Sequence, residues 1–384
     1  MNKELSFEFF PEDGKTIDFV GMSKSIYLSP LIQSMFHCIQ EKKYHEEEDV
    51  WTHTQMCLIN LLESQNYMEL TKEQQKILFI ATLLHDSGKP ITTKTEGSII
   101  SSKGHSVKGA RLARESIINW NNCGFTNIPF EAREQICNLI LLHMLPIYLL
   151  EKADPVFSAS SSSMVIQNKL LAILSIADTE GRICSVTDKK TAKERIELFV
   201  AFCEENKCYE SKFPFVSDMS RFRYFFEHKG HPNYDYFEPI CGEAIVMCGL
   251  QASGKDYVIR NNYQDRKIIS LDQTRIDMDL DFGDDEDAVV KSAKEKCREC
   301  MRNKVNFVFN ATNLIKDVRS KWIRLFRQYK YSITIHYKER PLTTILEANK
   351  NREHKVPESV ILEKVKKIDV PTLMECHKLI LEVE

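Results

Sequence analysis

The sequence lacks a net charge of either sign that would indicate a polyanionic partner for the whole protein. Its 52 Lys and Arg residues are nearly balanced by 55 Asp and Glu residues, which leaves a formal net charge of −3. Any nucleic-acid site must therefore be local. Long apolar runs are also lacking, since the most apolar stretch, NLILLHMLPIYLL, is interrupted by His143 and Pro146. That stretch is too short to span a bilayer, so no membrane segment is expected.

An apolar leader and a disulfide pattern are not evident either. The first residues, MNKELSFEFFPEDGK, are charged and contain no apolar core, so we expect no secretory signal there. The twelve cysteines are interpreted as buried or incidental thiols of a reducing cytoplasm. A hydrophobic content of 43% and a charged content of 28% predict a soluble, globular protein, and the cysteines indicate a cytoplasmic one. A chain of 384 residues is long enough for two or three domains.

Helical patterns dominate the residues from about 30 to 205. In the segment TKEQQKILFIATLLHDSG, Thr71 can cap the start of a helix and Gln74 occupies the position that a capping box requires. Gly88 and Pro90 are then expected to end that helix. Consecutive segments of this kind predict an all-α domain.

A different pattern begins at residue 244, where short β-rich runs alternate with amphipathic helices. The predicted strands are AIVMCGL, KIISLD, VNFVFNAT and YSITIHYK. Such alternation is typical of a parallel sheet covered by helices. The predicted fold class is therefore multidomain, with an all-α domain followed by an α/β domain. The predicted boundaries are 1–207 for the first domain, 208–243 for an ordered connector and 244–384 for the second domain.

The stretch GLQASGKD at 249–256 follows the phosphate-binding pattern G-x-x-x-x-G-K-[ST] at every position except the last. It lies between a predicted strand and a predicted helix, where backbone N–H groups and the helix N-terminus favour phosphate. We therefore predict a site for ATP or another NTP with Mg²⁺, in which a lysine contacts the phosphates. The predicted nucleotide-binding residues are Gly249, Ser253, Gly254, Lys255 and Asp256.

Asp256 replaces the hydroxyl residue that usually ends this pattern. Two negative charges ~4 Å apart at an effective dielectric constant of 20 repel by roughly 4 kcal/mol, so a bare carboxylate would weaken nucleotide binding. A Mg²⁺ ion between them would reverse the sign. Asn310, in FNATN, stands where many phosphate-loop proteins have an acidic Walker B residue, which favours a metal role for Asp256. The alternatives are a degraded loop and a carboxylate that is turned away.

Three further residues are candidates for the chemistry of phosphate transfer. Asp272, in SLDQTR, follows the second strand and can accept a proton from an attacking hydroxyl, although a helix N-cap is the alternative role. Arg275 is predicted to hold a phosphate on the acceptor. Arg352, in ANKNREHKVPESVI, is predicted to lie on a helical lid and to stabilise transition-state charge. The alternative for Arg352 is a solvated surface arginine.

Charge is distributed unevenly along the second domain. Residues 316–355 contain eleven Lys or Arg and four Asp or Glu, which is a candidate nucleic-acid footprint or simply a solvated face. The run DMDLDFGDDED at 277–287 contains seven acidic residues and would repel a polyanion nearby. The helix IKDVRSKWIRLFRQY is predicted to bury Ile315, Val318, Trp322, Leu325 and Tyr329, with Lys316, Arg319, Arg324 and Arg327 largely outside that face.

Histidine and aspartate residues mark a second site, in the helical region. A His-Asp pair ends the helix at HDSGK, with a histidine upstream and an aspartate downstream on other helices. Nitrogen and oxygen ligands of this kind suit Mn²⁺, Ni²⁺, Co²⁺ or Fe²⁺, and Asp86 could bridge two ions ~4 Å apart. A single buried histidine is more often a satisfied core residue. The predicted ligands are His53, His85, Asp86 and Asp178, with His105 and His143 for a second ion, and Lys89 is a predicted catalytic residue.

These residues resemble those of two known families. His53, His85-Asp86 and Asp178 are similar to the H…HD…D signature of the HD-superfamily metal phosphohydrolases. The stretch GLQASGKD and the lid segment resemble the phosphate-loop kinases of the polynucleotide kinase group. The order of the two resembles the bacterial HD-domain polynucleotide kinases, bifunctional enzymes of RNA-end repair. The resemblance covers all but about the first 30 residues.

The resemblance implies a 5′-OH kinase in the second domain. It also implies that the first domain removes a 2′-phosphate, a 2′,3′-cyclic phosphate or a 3′-phosphate. Its implied roles are phosphate contact for Lys255, general base for Asp272, acceptor binding for Arg275 and lid arginine for Arg352. The implied partners are NTP, RNA and also DNA ends, and a nucleic-acid ligase. The preference between RNA and DNA and the choice between a monomer and a homodimer are left open.

Two other functions remain open at this point. One is a nucleotide or small-molecule kinase fused to a nucleotide phosphohydrolase. The other is a non-catalytic nucleotide-sensing regulator that binds ATP and metal without turnover. An intact Asp272 and a full set of metal ligands argue against the regulator, and the basic stretch favours a polynucleotide acceptor moderately.

Overall fold

A computed structural model describes residues 4–14, 16–97, 99–280, 283–352 and 355–384. The chain divides into two compact units, residues 1–214 and 215–384. The predicted order of a helical region followed by an α/β region is confirmed. The boundaries drawn from the sequence stay a prediction. Two parts of the predicted segments lie outside the described residues, namely Asp281 and Phe282 of the acidic run and Glu353 and His354 of the lid.

The first unit is built mainly from helices. Two pairs of short antiparallel strands accompany them, β1 (Ser6–Phe7) with β4 (Thr126–Asn127) and β2 (Lys94–Glu96) with β3 (Ile99–Ser101), and a 3₁₀ turn lies at Leu149–Glu151. The helices are α1 (Phe19–Lys24), α2 (Ser29–Phe36), α3 (Val50–Glu63), α4 (Gln65–Met68), α5 (Lys72–Leu84), α6 (Lys89–Thr92), α7 (His105–Asn122), α8 (Phe130–Leu142), α9 (Leu145–Tyr148), α10 (Pro155–Ser163), α11 (Asn168–Glu180) and α12 (Val186–Glu205).

Helix α5 is the central helix of the first unit. Its predicted capping box is present, because the Thr71 hydroxyl accepts from the Gln74 N–H and the Gln74 side chain accepts from the Thr71 N–H. Every residue from Gln75 to Leu84 is buried, so the helix is surrounded by other helices. Burial of each large apolar side chain contributes about 1.5–3 kcal/mol. The helix therefore holds the His-Asp pair that follows it in a fixed position.

The second unit contains a parallel sheet, as predicted, and the sheet has five strands where four were predicted. The strand order is β6-β7-β5-β8-β9. The strands are β5 (Gly242–Cys248), β6 (Lys267–Ser270), β7 (Phe307–Asn310), β8 (Tyr331–Glu339) and β9 (Lys378–Val383). The helices are α13 (Asp218–Phe225), α14 (Lys255–Asn262), α15 (Leu271–Asp277), α16 (Glu286–Arg302), α17 (Lys316–Gln328), α18 (Leu342–Lys350) and α19 (Glu358–Val365).

Strand β9 was not among the predicted strands. It lies at the edge of the sheet, and its residues are exposed or only partly buried. Its continuous apolar run, at 379–381, is only three residues long and lies between Lys378 and Glu382, so it is shorter than the run typical of a buried parallel strand. The central position of β5 has a functional consequence, because the carboxyl ends of parallel strands meet at one edge of the sheet. The loop that follows β5 therefore lies next to the residues that follow β7, and the residues that follow β6 lie one strand further along the same edge.

Helix α17 buries a different face from the predicted one. Trp322 and Leu325 are buried as expected, but Val318 is 41% exposed. Arg319, predicted to lie outside the apolar face, is fully buried. Its guanidinium donates two 3.0 Å hydrogen bonds to the carboxylate of Glu375. The prediction for Arg319 was wrong because a distant carboxylate neutralises this arginine.

All twelve cysteines are free, and nine of them are buried. Cys297 and Cys300 have the spacing C-x-x-C on α16, and both are buried. In the described part of the chain, no helix has the length and apolar character that crossing a membrane requires.

Candidate active sites

The first site is formed where several helices of the first unit converge. The structure brings the six predicted metal ligands together, and five of them are fully buried while His105 is partly buried. Their positions are His53 on α3, His85 and Asp86 directly after α5, His105 at the start of α7, His143 directly after α8 and Asp178 on α11.

A close approach at Gly88 allows this convergence. A Cβ atom built on Gly88 would lie 2.0 Å from the carbonyl oxygen of His105 and 2.6 Å from the backbone nitrogen of Gly109. A larger residue would therefore push α7 away from the turn that follows α5. With glycine at this position, the Nε2 atom of His105 lies 3.5 Å from the Oδ1 atom of Asp86.

Asp86 lies between two pairs of histidines. Its Oδ1 atom is 3.5 Å from Nε2 of His105 and 4.0 Å from Nε2 of His143. Its Oδ2 atom is 3.3 Å from Nε2 of His85 and 3.7 Å from Nε2 of His53. Each carboxylate oxygen thus faces its own pair of ring nitrogens. This arrangement has the form expected of a carboxylate that bridges two cations.

The tautomers of the four histidines follow from their outer partners. In each ring the Nδ1 atom faces an acceptor, so a neutral ring carries its proton on Nδ1 and points the Nε2 lone pair at the centre. The Nδ1 partners are Glu47 Oε1 at 3.0 Å for His53, Thr82 O at 2.7 Å for His85, Ser102 O at 2.9 Å for His105 and Ile140 O at 2.7 Å for His143. His53 differs in that its Nε2 also lies 3.1 Å from Oδ1 of Asp178. Burial opposes protonation of His53, but the surrounding groups, Asp178 and Glu47 among them, hold its pKa well above its usual range.

The positions of the histidine Nε2 atoms are those expected of ligands to a cation. The Nε2 atoms of His105 and His143 are only 3.2 Å apart, and two lone pairs at this distance repel unless a cation or a proton lies between them. Burial, together with the neighbouring histidines, lowers the pKa of His143 to about 3, which disfavours a proton. Within the described residues, His85 Nε2 and Asp86 Oδ1 are buried without a hydrogen-bond partner. The donor set therefore suits a first-row divalent metal.

Cations near the centre keep its carboxylates ionised. The Nζ atom of Lys89 lies 2.7 Å from Oδ2 of Asp86 and also donates to Oε1 of Gln40 at 2.6 Å. Burial opposes ionisation of Asp86, but the nearby charge of Lys89 outweighs it and holds the pKa of Asp86 well below its usual range. Lys89, the predicted catalytic lysine, thus contacts the carboxylate of Asp86 directly.

Sequence reasoning missed two residues that hold the ligands in place. Glu47 accepts hydrogen bonds from the Nδ1 atoms of His45, at 2.7 Å, and of His53, at 3.0 Å. Arg182 donates to Asp178 through Nε at 3.2 Å and Nη2 at 2.5 Å. The spacing of Arg182 four residues after Asp178 was a usable signal. Glu47 had none, because it stands in a run of acidic residues that looks like a solvated surface.

A cavity of about 370 Å³ opens over this centre. Its floor includes Asp86 and Asp178, and Tyr148 forms part of its wall. The remaining wall carries several cations, which suits an anionic substrate such as a phosphate ester. These cations are Lys89, Arg182, Lys189 and Arg195.

The second site is the loop between β5 and α14. Gly254 has φ +93°, a left-handed conformation that favours glycine, and Lys255 is the first residue of α14. The Nζ atom of Lys255 donates to the carbonyl oxygens of Gly249, at 3.1 Å, and Leu250, at 2.6 Å. Burial lowers the pKa of Lys255 to about 8. The hydroxyl of Ser253 is buried and has no hydrogen-bond partner among the described residues.

Asp256 faces the end of β7. Its Oδ1 atom accepts a 2.7 Å hydrogen bond from the Nδ2 atom of Asn310. The Oδ1 atom of Asn310 is buried and has no hydrogen-bond partner in the described part of the chain. The structure thus brings together the unusual loop residue and the residue at the Walker B position. The carboxylate of Asp256 is thus directed at the Walker B position, and its role as a metal ligand stays a prediction.

Asp272 and Arg275 lie in the same short helix, α15. Strand β6 ends at Ser270, and the Ser270 hydroxyl caps α15, so the alternative role of Asp272 as helix cap is wrong. The Oδ1 atom of Asp272 accepts from Nη1 of Arg275 at 3.1 Å. The Nη2 atom of Arg275 donates to both oxygens of Glu286, at 2.8 and 2.9 Å. An acceptor phosphate would therefore compete with Glu286 for this arginine.

Two further cations lie near these residues. Arg352 is partly buried just after α18, and its charge, like those of Asp256 and Asp272, acts on the pKa of Lys255. It is therefore not the fully solvated arginine of the alternative interpretation. Lys364 on α19 was missed by the sequence analysis. Burial lowers its pKa, and the charge of Asp272 acts on it in the opposite direction.

The basic stretch 316–355 is partly neutralised by carboxylates from outside it. Arg319 pairs with Glu375, and Arg327 pairs with Glu227 and Glu238. Two more basic residues, Lys338 and Arg340, have acidic partners that lie on or just after β9. Lys338 pairs with Glu382 and Glu384, and Arg340 pairs with Glu384. Four of the eleven basic residues therefore contribute little free charge to a nucleic-acid footprint.

Family models match both units. Residues 50–183 match the model of the HD domain, and residues 245–371 match a model described as an AAA domain. These matches include every predicted site residue. The protein is thus an HD domain, of the metal phosphohydrolase type, joined to a P-loop kinase-like domain in one chain.

Two solved structures of kinases align with part of the chain. An unliganded sugar kinase from Janibacter sp. HTCC2649 aligns at 15% identity over 37% of this chain and 85% of its own, with a TM-score of 0.30. A provisionally named kinase from Chloroflexus aurantiacus j-10-fl aligns at 15% identity over 37% of this chain and 88% of its own, with a TM-score of 0.32. No curated protein matches the chain.

Proposed function

We propose that this protein is a bifunctional enzyme that heals nucleic-acid ends. Its second domain transfers the γ-phosphate of an NTP to a 5′-OH of RNA or DNA, and its HD domain removes a 2′-phosphate, a 2′,3′-cyclic phosphate or a 3′-phosphate. One observation supports this proposal above all, namely that a single chain contains two sites. One is a histidine-aspartate centre under a cavity lined by cations, and the other is a phosphate loop close to Asp272. A nucleic-acid ligase that uses such ends is the proposed partner, and the cytoplasm is the proposed location.

In the HD domain, two sets of ligands would hold divalent metal. One set is Asp86 with His105 and His143, and the other includes His53, His85 and Asp178. Bound ions would polarise phosphoryl oxygens and supply a nucleophile at neutral pH. The residues of the chain supply the rest, because Lys89 and Arg182 orient the carboxylates of Asp86 and Asp178. The cations of the cavity wall would neutralise and position the phosphate of the substrate.

In the kinase-like domain, the roles follow from the charges near Lys255. The ammonium group of Lys255 would pair with the phosphates of the nucleotide in place of its present carbonyl partners. Asp272, exposed and held by Arg275, would accept the proton of the attacking hydroxyl. Arg352 would stabilise charge on the transferring group. The oxygens of Asp256 and Asn310 are hard ligands that suit Mg²⁺ bound with the nucleotide.

The experiment uses the full chain and two single variants. Labelled γ-phosphate of ATP is offered to an RNA oligonucleotide with a 5′-OH, and release of a 2′,3′-cyclic phosphate is followed with added Mn²⁺, Ni²⁺ or Co²⁺. Lys255→Ala should abolish the kinase and spare the phosphatase, and Asp86→Ala should do the reverse. Absence of transfer to the 5′-OH by the unmodified protein would reject the kinase half. Loss of both activities in both variants would contradict two independent sites.

A second candidate function is a nucleotide or small-molecule kinase fused to a nucleotide phosphohydrolase. The neutralisation of Arg319, Arg327 and Lys338 favours it, because the surface left for a polynucleotide is less basic than the sequence suggests. Oligonucleotides and nucleosides offered as competing acceptors distinguish the two candidates. Preferred transfer to the nucleoside would support the second one.

A further inference from the structure

Arg340 packs against the phosphate loop. It lies just after β8, and β8 pairs with β5, the strand that leads into the loop. A Cβ atom built on Gly254 would lie 3.4 Å from Nη1, 3.6 Å from Cζ and 3.8 Å from Nε of Arg340. Three nearly equal distances mean that the guanidinium lies flat over the glycine that precedes Lys255. A second cation thus accompanies the lysine of the loop.

One edge of this guanidinium is held by Glu384. The Nε atom of Arg340 donates to Oε2 of Glu384 at 2.8 Å. Glu384 is itself fixed, because its Oε1 atom accepts from Nζ of Lys338 at 2.6 Å and its N–H donates to the carbonyl oxygen of Glu339. Within the described residues, neither Nη atom of Arg340 has a hydrogen-bond partner. The side chain is 31% exposed, so these donors remain accessible to a ligand.

The charge of the phosphate loop explains why a cation at the position of Arg340 would favour nucleotide binding. In the usual pattern the loop lysine is followed by a neutral hydroxyl residue, whereas here Asp256 follows Lys255 and cancels its formal charge. Asp256 is exposed on the side of Asn310. Arg340 places a second cationic group beside Gly254, where an anionic phosphate would bind, and its Nη edge is turned away from the bond to Glu384. A guanidinium is suited to this task, because its planar donors match phosphate oxygens.

We infer that Arg340 is a nucleotide-binding residue whose free Nη donors contact the phosphates of the NTP and offset the charge of Asp256. The inference rests on the proposed nucleotide site of the kinase-like domain, but it does not depend on the identity of the acceptor. A purely structural role is the competing explanation, since Arg340 and Glu384 also connect the ends of β8 and β9. The two explanations differ in what happens when only Glu384 is changed.

The test measures binding of the fluorescent nucleotide mant-ATP to the full chain in the presence of Mg²⁺. Arg340→Ala should weaken binding roughly tenfold or more, and Arg340→Lys should recover part of the loss, because charged hydrogen bonds contribute this much. Glu384→Gln removes the negative partner while keeping the cation, and it should bind as tightly as the unmodified protein. Thermal unfolding without nucleotide should be nearly unchanged in Arg340→Ala.

Three results would contradict the inference about Arg340, and each has a different explanation. Binding by Arg340→Ala within twofold of the unmodified protein overturns the inference while leaving the nucleotide site intact. An equal loss of binding in Glu384→Gln and Arg340→Ala, with a lower unfolding temperature in both, also overturns it and assigns a structural role. Failure of the unmodified protein to bind mant-ATP rejects the nucleotide site of the proposed function, and the role of Arg340 with it.

Discussion

The side-chain amide of Asn310 donates a 2.7 Å hydrogen bond to Oδ1 of Asp256. Each residue departs from the common phosphate-loop pattern, one at the end of the loop and the other at the Walker B position. Because the two side chains are in direct contact, both departures from the pattern lie at the same place in the structure. Under the proposed function, the carboxylate of Asp256 and the amide oxygen of Asn310 would provide the oxygen ligands for Mg²⁺ that a loop hydroxyl and a carboxylate on β7 provide in the usual pattern.

Asp256→Ala should therefore raise the Mg²⁺ concentration needed for half-maximal kinase activity, by roughly tenfold. The physical reason is the loss of a charged oxygen ligand next to the nucleotide phosphates. A Mg²⁺ titration of phosphate transfer at fixed ATP measures the effect. Asp256→Ser is the matched control, because it restores the usual residue of the pattern and should retain most of the activity. An unchanged titration for Asp256→Ala would mean that the carboxylate is merely tolerated.

Gly88→Ala should disrupt the HD centre. The added Cβ would lie 2.0 Å from the carbonyl oxygen of His105, so α7 must shift, at a cost of about 1–3 kcal/mol in the free energy of unfolding. Bound metal, measured by elemental analysis, and phosphatase activity should both decrease. Ser87→Ala in the same turn is the control, since it removes a hydroxyl that has no hydrogen-bond partner among the described residues. Equal metal content in the two variants would contradict the proposed packing.

Arg319→Met should destabilise the second unit by about 3–5 kcal/mol, because it leaves the carboxylate of Glu375 buried without its partner. Chemical denaturation followed by circular dichroism measures the change. The double variant Arg319→Met with Glu375→Leu should recover much of the loss, since neither charge then remains buried. A single variant that costs under about 1 kcal/mol would show that Glu375 finds water or another partner.

The stability of the second unit should decrease in acid through His377. Burial lowers the pKa of His377 to about 4, and Arg327 and Arg221 act in the same direction. The unfolded chain binds a proton near pH 6.5 that the folded protein accepts only near pH 4, so this group reduces the free energy of unfolding as the pH falls through that window. Its contribution is up to about 1.4 kcal/mol per pH unit.

His377→Asn is the variant that isolates this effect. The Nδ1 atom of His377 accepts a 3.0 Å hydrogen bond from the N–H of Ile333, and an asparagine oxygen can accept it without titrating. Denaturation curves at pH 7 and pH 5 should therefore differ less for the variant than for the unmodified protein. Identical pH dependence in the two proteins would show that His377 does not contribute.

The sequence by itself determined the parts of both sites that depend on local backbone signals. The capping box at Thr71 and Gln74 marked the start of α5, and the pair at its end, His85 and Asp86, lies at the HD centre. The glycines and lysine of the loop were placed correctly after β5 because strand, turn and helix follow one another directly in the chain. Short-range patterns of this kind reflect conformational preferences that each segment has on its own.

Only the tertiary structure decided which charges are free. Arg319 pairs with Glu375, 56 residues away, and Arg327 pairs with Glu227, 100 residues away. No local pattern reports such a partner, so the sequence overstated the basic character of residues 316–355. The position of Arg340 over Gly254 has the same origin, since it depends on the pairing of β8 with β5. Side-chain charges act through space, and the fold alone determines which of them become neighbours.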